Sequence, residues 1–275
     1  MENDSPQINN VPPKHNAFLI PVSIILAGVL IGGAVLYKNN DSTTNNNIAN
    51  TKTDPVQKSL IITPVGDGDH VLGNADARVT FIEYSDMECP FCKTFHQTMR
   101  KVIDEYGKGG KIAWAYRHYP IDQLHPKARK EAEATECIAE LGGNQKFWLY
   151  LDTIFEITPS NNGLDESKLL STATTVGINA TQFSSCLESG RHADKVSNNI
   201  SQALKSGGNG TPHTTLVLKS ALSGTSKEIL ESNFNQIRDQ QNNLLITISP
   251  DNKSIIMRGS MPYDIIKTIL DEILK

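Results

Sequence analysis

Two cysteines separated by two residues, in the sequence Cys89-Pro90-Phe91-Cys92, are the part of this 275-residue chain that most clearly predicts chemistry. Cysteines at this spacing at the start of a helix can close a small disulfide, and the unpaired amides of a helix N-terminus favour the thiolate of the first one. A stabilised thiolate is both a good nucleophile and a good leaving group, and disulfide exchange needs both properties. The motif therefore predicts redox chemistry, with Cys92 more buried than Cys89.

The same motif also fits half of a zinc site or an inert structural bridge. A zinc site would need two further ligands, for which His96 and either Cys137 or Cys186 are candidates, but the sequence has no second Cys-x-x-Cys. The position of the motif, directly after a predicted strand and opening a predicted helix, favours the redox interpretation. We therefore expect neither a metal ion nor an organic cofactor.

Glu83 and the segment Gly210-Thr211-Pro212 could take part in this chemistry. Glu83 lies in an apolar strand shortly before Cys89, where burying a carboxylate is costly. With a raised pKa it could carry protons to or from Cys92; the alternative is that it points to solvent on a polar face of the sheet. Pro212 directly precedes another predicted strand, where a proline cannot donate to a sheet and is a candidate for the cis peptide bond.

The elements around these residues predict an α/β domain interrupted by helices. Residues 78–84 are rich in β-branched and aromatic side chains, and a helical pattern runs from the cysteines to about Tyr106. Residues 111–119 supply a second strand, so the strand, helix, strand order predicts parallel pairing with a right-handed crossover. From residue 125 to residue 206 the apolar period is helical.

This helical block divides into five predicted helices. The first begins near Pro126 and ends at Gly142-Gly143, and the others cover residues 145–156, 165–176, 180–188 and 193–205.

Strand character returns near the end of the chain, at residues 214–218, 244–248 and 254–257, and an amphipathic helix beginning near Pro262 follows. The connection formed by residues 219–243 is longer than a turn requires. Its Leu230, Phe234 and Ile237 fall at helical spacing, which predicts an added helix at the sheet edge.

The first part of the chain predicts a membrane anchor and a tether. Residues 17–37 are uncharged and apolar over about the ~20 residues that a helix needs to cross a bilayer. A cleaved signal peptide is the alternative, but its apolar stretch is normally only ~7–15 residues long. Residues 38–54 are nearly all polar and predict a flexible linker, with folded structure beginning near Val71. A net charge of −4 without a basic cluster argues against a nucleic-acid partner.

Taken in order, these segments resemble the DsbA-like thiol:disulfide oxidoreductases. The similarity covers residues 68–275 and is carried by VLGN, IEYSDMECPFC, YRHYPIDQLHPKA, KFWLYLDTIF, GTP and RGSMPYDIIKTILDEIL. The resemblance implies a thioredoxin-like α/β fold with an inserted all-helical domain. It also implies that Cys89 attacks and Cys92 resolves, and that Glu83 is a buried acid beside them.

The resemblance further implies a substrate site at the active-site disulfide. Pro212 would be a cis-proline that faces the disulfide, and Pro90, Phe91 and Thr211 would contact the substrate beside it. Strongly oxidising members of the family carry histidine where this chain has Phe91, which cannot donate a hydrogen bond to the Cys89 thiolate. This difference predicts a more reducing potential and a weaker oxidase. Thr211 before the proline, where some members of the family have valine, also leaves isomerase and reductase roles open.

Cys137 and Cys186 both fall in predicted helices of the inserted domain. In an oxidising compartment two such cysteines are expected to pair as a structural disulfide. The alternative is two separate buried thiols that behave as small hydrophobic side chains.

The sequence therefore predicts a single-pass membrane protein with its catalytic domain outside the cytoplasm, in the periplasm or on the outer face of a bacterial membrane. It would exchange disulfides with unfolded or partly folded secreted proteins that contain cysteines, mainly as an oxidase. The family suggests reoxidation by a membrane quinone-linked partner. A non-catalytic peptide-binding module and a metal carrier using Cys89, Cys92 and His96 are the alternatives. The expected regions are an N-terminal tail (1–16), the anchor (17–37), the linker (38–68), a thioredoxin-like domain (69–122 and 207–275) and the helical insertion (123–206).

Overall fold

The computed structural model describes residues 60–74 and 76–275. The predicted anchor at residues 17–37 and the predicted linker up to residue 59 lie outside the described residues. Within the described ranges, no helix combines the length and the apolar character that crossing a bilayer requires.

The centre of the domain is a six-stranded mixed sheet, which confirms the predicted α/β fold. Its strands are β1 (His70–Gly73), β2 (Val79–Ser85), β3 (Ile112–His118), β4 (His213–Leu218), β5 (Ile246–Ile248) and β6 (Ser254–Arg258). They lie in the order β1-β3-β2-β4-β6-β5. β2 pairs parallel with β3, as the strand, helix, strand order predicts, and the other pairs are antiparallel.

Seven helices in the described part of the chain surround this sheet. They are α1 (Pro90–Tyr106), α2 (Ala128–Ile157), α3 (Ser167–Thr175), α4 (Ala180–Glu188), α5 (Ala193–Lys205), α6 (Gly224–Phe234) and α7 (Tyr263–Ile273). Apolar residues of α1 and α7 pack with one face of the sheet. The other face of β2 carries Ile82 and Tyr84, which pack in a smaller cluster with Ala203 of α5. Because both faces of β2 are covered, its side chains are buried on both sides.

The helical insertion consists of α2 to α5, between β3 and β4. As predicted, helical geometry stops at Gly142-Gly143. Gly143 has φ 74° and ψ −178°, which is not helical, and a second helical segment follows it within the range given as α2. Glycine takes this left-handed φ without the steric penalty of a side chain.

The domain begins earlier than the sequence predicts, because residues 60–68, which were assigned to the linker, contact the folded core. The Ile61 amide donates to the carbonyl of Lys205 at 2.9 Å. The buried guanidinium of Arg117 donates to the carbonyls of Thr63 and Pro64 at 3.0 and 2.8 Å. A buried cation needs such acceptors, and the backbone of this segment supplies them.

The connection between β4 and β5 contains the predicted helix, α6. Leu230 and Phe234 are buried and Ile237 is partly buried against the main core. The helix packs against β5, the edge strand, and against α7.

Candidate active site

The two motif cysteines lie where β2 leads into α1. Cys89 is the N-cap residue of α1, with φ −81° and ψ 121°, and Pro90 follows at the first helical position. Proline suits this position because the amide it lacks would have no helical partner. Both cysteines are free thiols in this structure. Cys92 is fully buried, Cys89 is 5% exposed, and Phe91 between them is 65% exposed.

The Cys89 thiol is strongly acidified. A hydrogen bond from Cys92 lowers the pKa of Cys89 to about 6, with smaller contributions from Thr211 and from the amides of Cys92 and Phe91, against the opposing effect of burial. The helix N-terminus was the cause expected from the sequence, but its amides contribute less than the Cys92 thiol does. At neutral pH the Cys89 sulfur is therefore mainly in the thiolate form.

Cys92 behaves in the opposite way. Burial raises the pKa of Cys92 well above its ordinary value, and the charge on Cys89 raises it further. The amide of Asp86 donates to the Cys92 sulfur at 3.4 Å. Cys89 thus holds a negative charge while Cys92 holds a proton. This asymmetry suits Cys89 to attack or to act as the leaving group, and Cys92 to resolve the mixed disulfide.

Glu83 is fully buried on the same face of β2 as Phe81, which packs in the cluster that contains Cys92. The alternative that it points to solvent is therefore wrong, because this face is covered. Burial raises the pKa of Glu83 to about 7. Its Oε2 accepts a hydrogen bond of 2.9 Å from the Trp114 indole, and its Oε1 has no partner among the described residues. A carboxyl that titrates near neutral pH can both give and take a proton.

The segment Thr211-Pro212 reaches the reactive thiol through the Thr211 carbonyl. The Thr211–Pro212 peptide bond is cis. The Cys89 thiol, when protonated, donates to the Thr211 carbonyl at 3.5 Å. The Pro212 carbonyl accepts from the Gly259 amide at 2.8 Å. The fold thus brings residues from β2, α1 and the turn before β4 to one place, although they are far apart in sequence.

Two aromatic residues that no sequence motif marks as functional contact this site. Trp114 holds Glu83, and His125 Nδ1 lies 2.8 Å from an Asp86 carboxylate oxygen in the turn before the cysteines. The contact of Trp114 with Glu83 could have been predicted only from the register of the two strands. The pairing of Glu83 with Tyr116 across β2 and β3 puts Trp114 two residues away on the same face.

Glu88, which precedes Cys89, joins the active-site turn to the helical insertion. Its two carboxylate oxygens accept from the amides of Gly163 and Leu164 at 3.2 and 3.1 Å, and its carbonyl accepts from the Asn161 amide at 2.7 Å. Burial, followed by the neighbouring Glu88, raises the pKa of Glu131 to about 9, so this second carboxyl keeps its proton at neutral pH. Glu131 lies on the same helical stripe as Ala128 and Ala132, which was the sequence signal for its burial.

The remaining cysteines form a separate pair inside the insertion. A disulfide joins Cys137 of α2 and Cys186 of α4, whose Cα atoms are 5.9 Å apart. His192 lies within 4.8 Å of both sulfurs, but sulfurs bonded to each other are not the thiolates that metal ions bind. His96, the other metal candidate, directs Nε2 to Asp152 at 2.7 Å and stacks on Phe155.

Known proteins match this chain at the level of sequence family and of fold. A family model described as thioredoxin matches residues 66–221, more than half of the chain. Oxidised BdbD from Bacillus subtilis superposes with a TM-score of 0.58 at 20% identity, covering 79% of this chain and 100% of that one. Alpha-DsbA1 from Wolbachia pipientis superposes with a TM-score of 0.56 at 20% identity, covering 76% and 92%. At these identities the structural likeness shows the fold.

A curated relative matches only in part. The Na(+)/H(+) antiporter NhaA 3 of Salinispora tropica is 32% identical over 146 residues, which are 53% of this chain and 21% of the antiporter. The chain thus matches about a fifth of the length of that relative. The family and fold matches confirm the resemblance that the sequence motifs predicted: the chain belongs to the thioredoxin family and has the fold of the DsbA-like thiol:disulfide oxidoreductases.

Proposed function

We propose that the protein is a membrane-anchored, extracytoplasmic thiol:disulfide oxidoreductase that acts on cysteine-containing polypeptides through Cys89 and Cys92, mainly in the oxidative direction. The observation that carries the proposal is the opposite displacement of the two pKa values within one motif. The pKa of Cys89 is lowered to about 6, while that of Cys92 is raised well above its ordinary value.

In the oxidative direction the enzyme begins with a Cys89–Cys92 disulfide. A client thiolate attacks the Cys89 sulfur, the bond between Cys89 and Cys92 breaks, and Cys92 leaves with the electron pair and takes up a proton. A second client thiolate then attacks the client sulfur of this mixed disulfide. A client disulfide forms, Cys89 leaves as a thiolate, and two electrons have passed from the client to the enzyme.

Glu83 is proposed to move the proton that Cys92 gains or loses. With a pKa of about 7, Glu83 is partly protonated near neutral pH, and it lies on the same covered face of the sheet as Cys92. In the reverse direction Cys89 attacks a client disulfide, Cys92 gives its proton to the Glu83 carboxylate, and the Cys92 thiolate releases the client.

The client segment is proposed to bind in an extended form beside the Thr211–Pro212 bond. Pro90 and Phe91 are exposed next to Cys89 and offer apolar contact. Main-chain hydrogen bonds are independent of side chains, so a site of this kind accepts many unfolded sequences.

The cellular setting follows from the predicted regions of the chain. Residues 17–37 would anchor the enzyme, and a linker ending before residue 60 would carry the thioredoxin-like domain and its insertion away from the membrane. Dithiol oxidation is sustained outside the cytoplasm, and a quinone-linked membrane partner would reoxidise Cys92. Ion transport is not proposed, because the antiporter relative is matched over only 21% of its length.

Reductase or isomerase activity is the second candidate, and Phe91 favours it. Its ring is 65% exposed and has no group that could donate to the Cys89 thiolate. A thiol pKa of about 6 lies between the values of ~7 and ~3.5 found in a reductant and in a strong oxidant of this fold. We therefore expect a reduction potential between roughly −270 and −120 mV, and a value at the reducing end would rule against the oxidase.

Two cysteine variants of the full chain test the proposed chemistry. The oxidised wild-type protein should restore activity to a reduced, unfolded test protein, and Cys89→Ser should not. Cys92→Ser should accumulate a covalent mixed disulfide with a client disulfide, because Cys89 attacks and nothing releases it. A Cys89→Ser protein that still binds clients and protects them as the wild type does would instead indicate a non-catalytic binding module. Reporter fusions after Lys275 that are active only in the cytoplasm would overturn the location.

A further inference from the structure

A cleft of about 640 Å³ begins at the active site and ends at the connection between β4 and β5. Phe91 and Thr211 line it on the side of the cysteines. Ile237 and Leu245 line it on the side of the connection, and Pro262 lines it at the start of α7. A client segment held at Cys89 would therefore continue over residues that the connection contributes.

Arg258 is the one cation among the described residues that line this cleft. It is the last residue of β6 and is half-buried. Its Nη1 donates to the Leu244 carbonyl at 3.2 Å and to Thr247 Oγ1 at 3.4 Å. Burial lowers the pKa of Arg258, which shows that its charge is partly withdrawn from water.

The charge of Arg258 has no ion-pair partner in the part of the chain that the structure describes, since no carboxylate oxygen there lies within 4.0 Å of its nitrogens. Its Nη2 and Nε likewise have no hydrogen-bond acceptor in that part of the chain. A guanidinium has five donors in a planar fork, so Arg258 keeps donors for a ligand. A planar carboxylate is the group that such a fork binds best.

The neighbouring titratable groups act on the Arg258 charge without pairing with it. The Asp239 carboxylate is near enough to raise the pKa of Arg258 against the effect of burial, but it does not reach ion-pair distance. Asp239 is the one acid that lines the cleft, and its carboxylate already accepts from the amides of Gln241 and Asn243 at 2.9 and 2.8 Å. The Asn243 side chain donates to its other oxygen at 2.9 Å. His213 pairs with Arg258 across β4 and β6, and burial together with Arg258 lowers the pKa of His213 to about 4, so it is neutral.

We propose that Arg258 forms a carboxylate subsite, which binds an aspartate or glutamate side chain of the client a few residues from the cysteine that reacts with Cys89. The inference rests on the proposed function and adds a substrate preference to it. Clients with acidic residues beside the reactive cysteine are exchanged faster than clients with neutral or basic ones.

The test uses three single-cysteine peptides that differ only in one residue near the cysteine, which is Glu, Gln or Lys. The rate constant for their attack on the Cys89–Cys92 disulfide is measured with the full chain, purified in mild detergent. We expect the Glu peptide to react about tenfold faster than the Gln peptide, equivalent to ~1.4 kcal/mol, and the Lys peptide to be slower still. High salt should reduce the difference because the cleft is open to solvent.

Variants of Arg258 assign the preference to this residue. Arg258→Gln should bring the three rates within about twofold of each other, and Arg258→Lys, which keeps the charge without the fork, should retain part of the preference. The matched control is Arg238→Gln, which removes the same charge from an exposed arginine that does not line the cleft. The reaction with uncharged 2-mercaptoethanol should be the same in all of these proteins.

The outcomes distinguish failure of the carboxylate subsite from failure of the proposed oxidoreductase activity. Equal rates for the three peptides with the wild type, or an unchanged preference in Arg258→Gln, overturn the subsite and leave the oxidoreductase intact. Failure of the wild type to react with any peptide and with 2-mercaptoethanol overturns both. If Arg258→Gln does not fold, the wild-type peptide series and Arg258→Lys still decide the question.

Discussion

At the scale of single residues, the reactivity of Cys89 depends on its partner more than on the helix that follows. The hydrogen bond from Cys92 is the largest influence that lowers the pKa of Cys89, ahead of the helix amides. A Cys-x-x-Cys motif at a helix start therefore does not by itself reveal the source of the acidity. The sequence identified both sulfurs, but ranking the contributions required their geometry.

Removing the Cys92 thiol should raise the pKa of Cys89. In Cys92→Ala the strongest donor is lost while the amides of Phe91 and Cys92 remain, so the pKa should rise from about 6 toward 9 without reaching it. Thiolate absorbance near 240 nm during a pH titration measures this shift. Cys92→Ser is the matched control, because its hydroxyl can still donate and should keep the pKa lower than in the alanine variant. An unchanged pKa in Cys92→Ala would show that the helix amides dominate.

Replacing Glu83 should make stability less dependent on pH. Its pKa is about 7 in the folded protein and 4.5 in an exposed carboxyl, so the folded state holds an extra proton between these values. As the pH rises from 4.5 to 7, the free energy of unfolding therefore falls by about 3 kcal/mol because of Glu83. Glu83→Gln should be more stable than wild type at pH 8 by up to that amount and gain nothing at pH 4. Urea unfolding of both proteins at the two pH values measures the difference, and an equal effect at both would contradict it.

Glu83→Gln should impair catalysis although it stabilises the folded protein at high pH. If Glu83 carries the proton of Cys92, Glu83→Gln should slow turnover and remove the inflection near pH 7 from the rate profile. The inflection near pH 6 from Cys89 should remain. A profile that keeps both inflections would leave Glu83 without a catalytic role.

At the scale of elements, hydrophobic periodicity predicted the helices and central strands well, because their apolar faces repeat in the sequence. β1 (His70–Gly73) was missed because it is a four-residue edge strand without alternating polarity. Its neighbour Asp69 is held by Arg117 at 2.7 Å, a contact over 48 positions that no local pattern contains. The contacts of Glu88 with the loop at residues 161–164 were missed for the same reason. Buried polar partners are chosen by tertiary structure, so they could not be derived from one sequence.

Glu88 should be important for the loop that joins the insertion to the active-site turn. Glu88→Ala leaves the buried Leu164 amide without its acceptor, whereas the Gly163 amide keeps the Ser160 carbonyl at 3.0 Å, so we expect a loss of about 1–3 kcal/mol in unfolding free energy. Hydrogen exchange at the Leu164 amide should accelerate more than exchange in the central strands. Glu88→Gln keeps an acceptor oxygen and should lose less. The exposed Glu156 is the control site, and a Glu156→Ala protein with the same loss would show that the effect is not specific.

At the scale of the whole molecule, a buried charge network connects the sheet to the insertion. Glu136 of α2 accepts from His118 of β3 at 2.9 Å and pairs with His70 of β1 at 2.9 Å. Lys195 of α5 reaches the same carboxylate at 2.6 Å. Burial raises the pKa of Glu136, but His118 and His70 outweigh that effect and lower it. Because the buried Glu136 carboxylate depends on partners from β1, β3 and α5, the network holds the insertion against the edge of the sheet.

The Cys137–Cys186 disulfide should stabilise this arrangement without taking part in exchange. Both cysteines are 1% exposed, and the bridge closes a loop of 49 residues within the insertion. Cys137→Ala/Cys186→Ala should therefore lower the unfolding free energy by about 4 kcal/mol, mainly because the unfolded chain gains freedom. Urea unfolding measures this loss. The pKa of Cys89 and its rate of alkylation by iodoacetamide should stay unchanged, because the influences on that thiol come from the active-site motif and Thr211. A parallel change in Cys89 reactivity would mean instead that the insertion transmits the state of its disulfide to the active site.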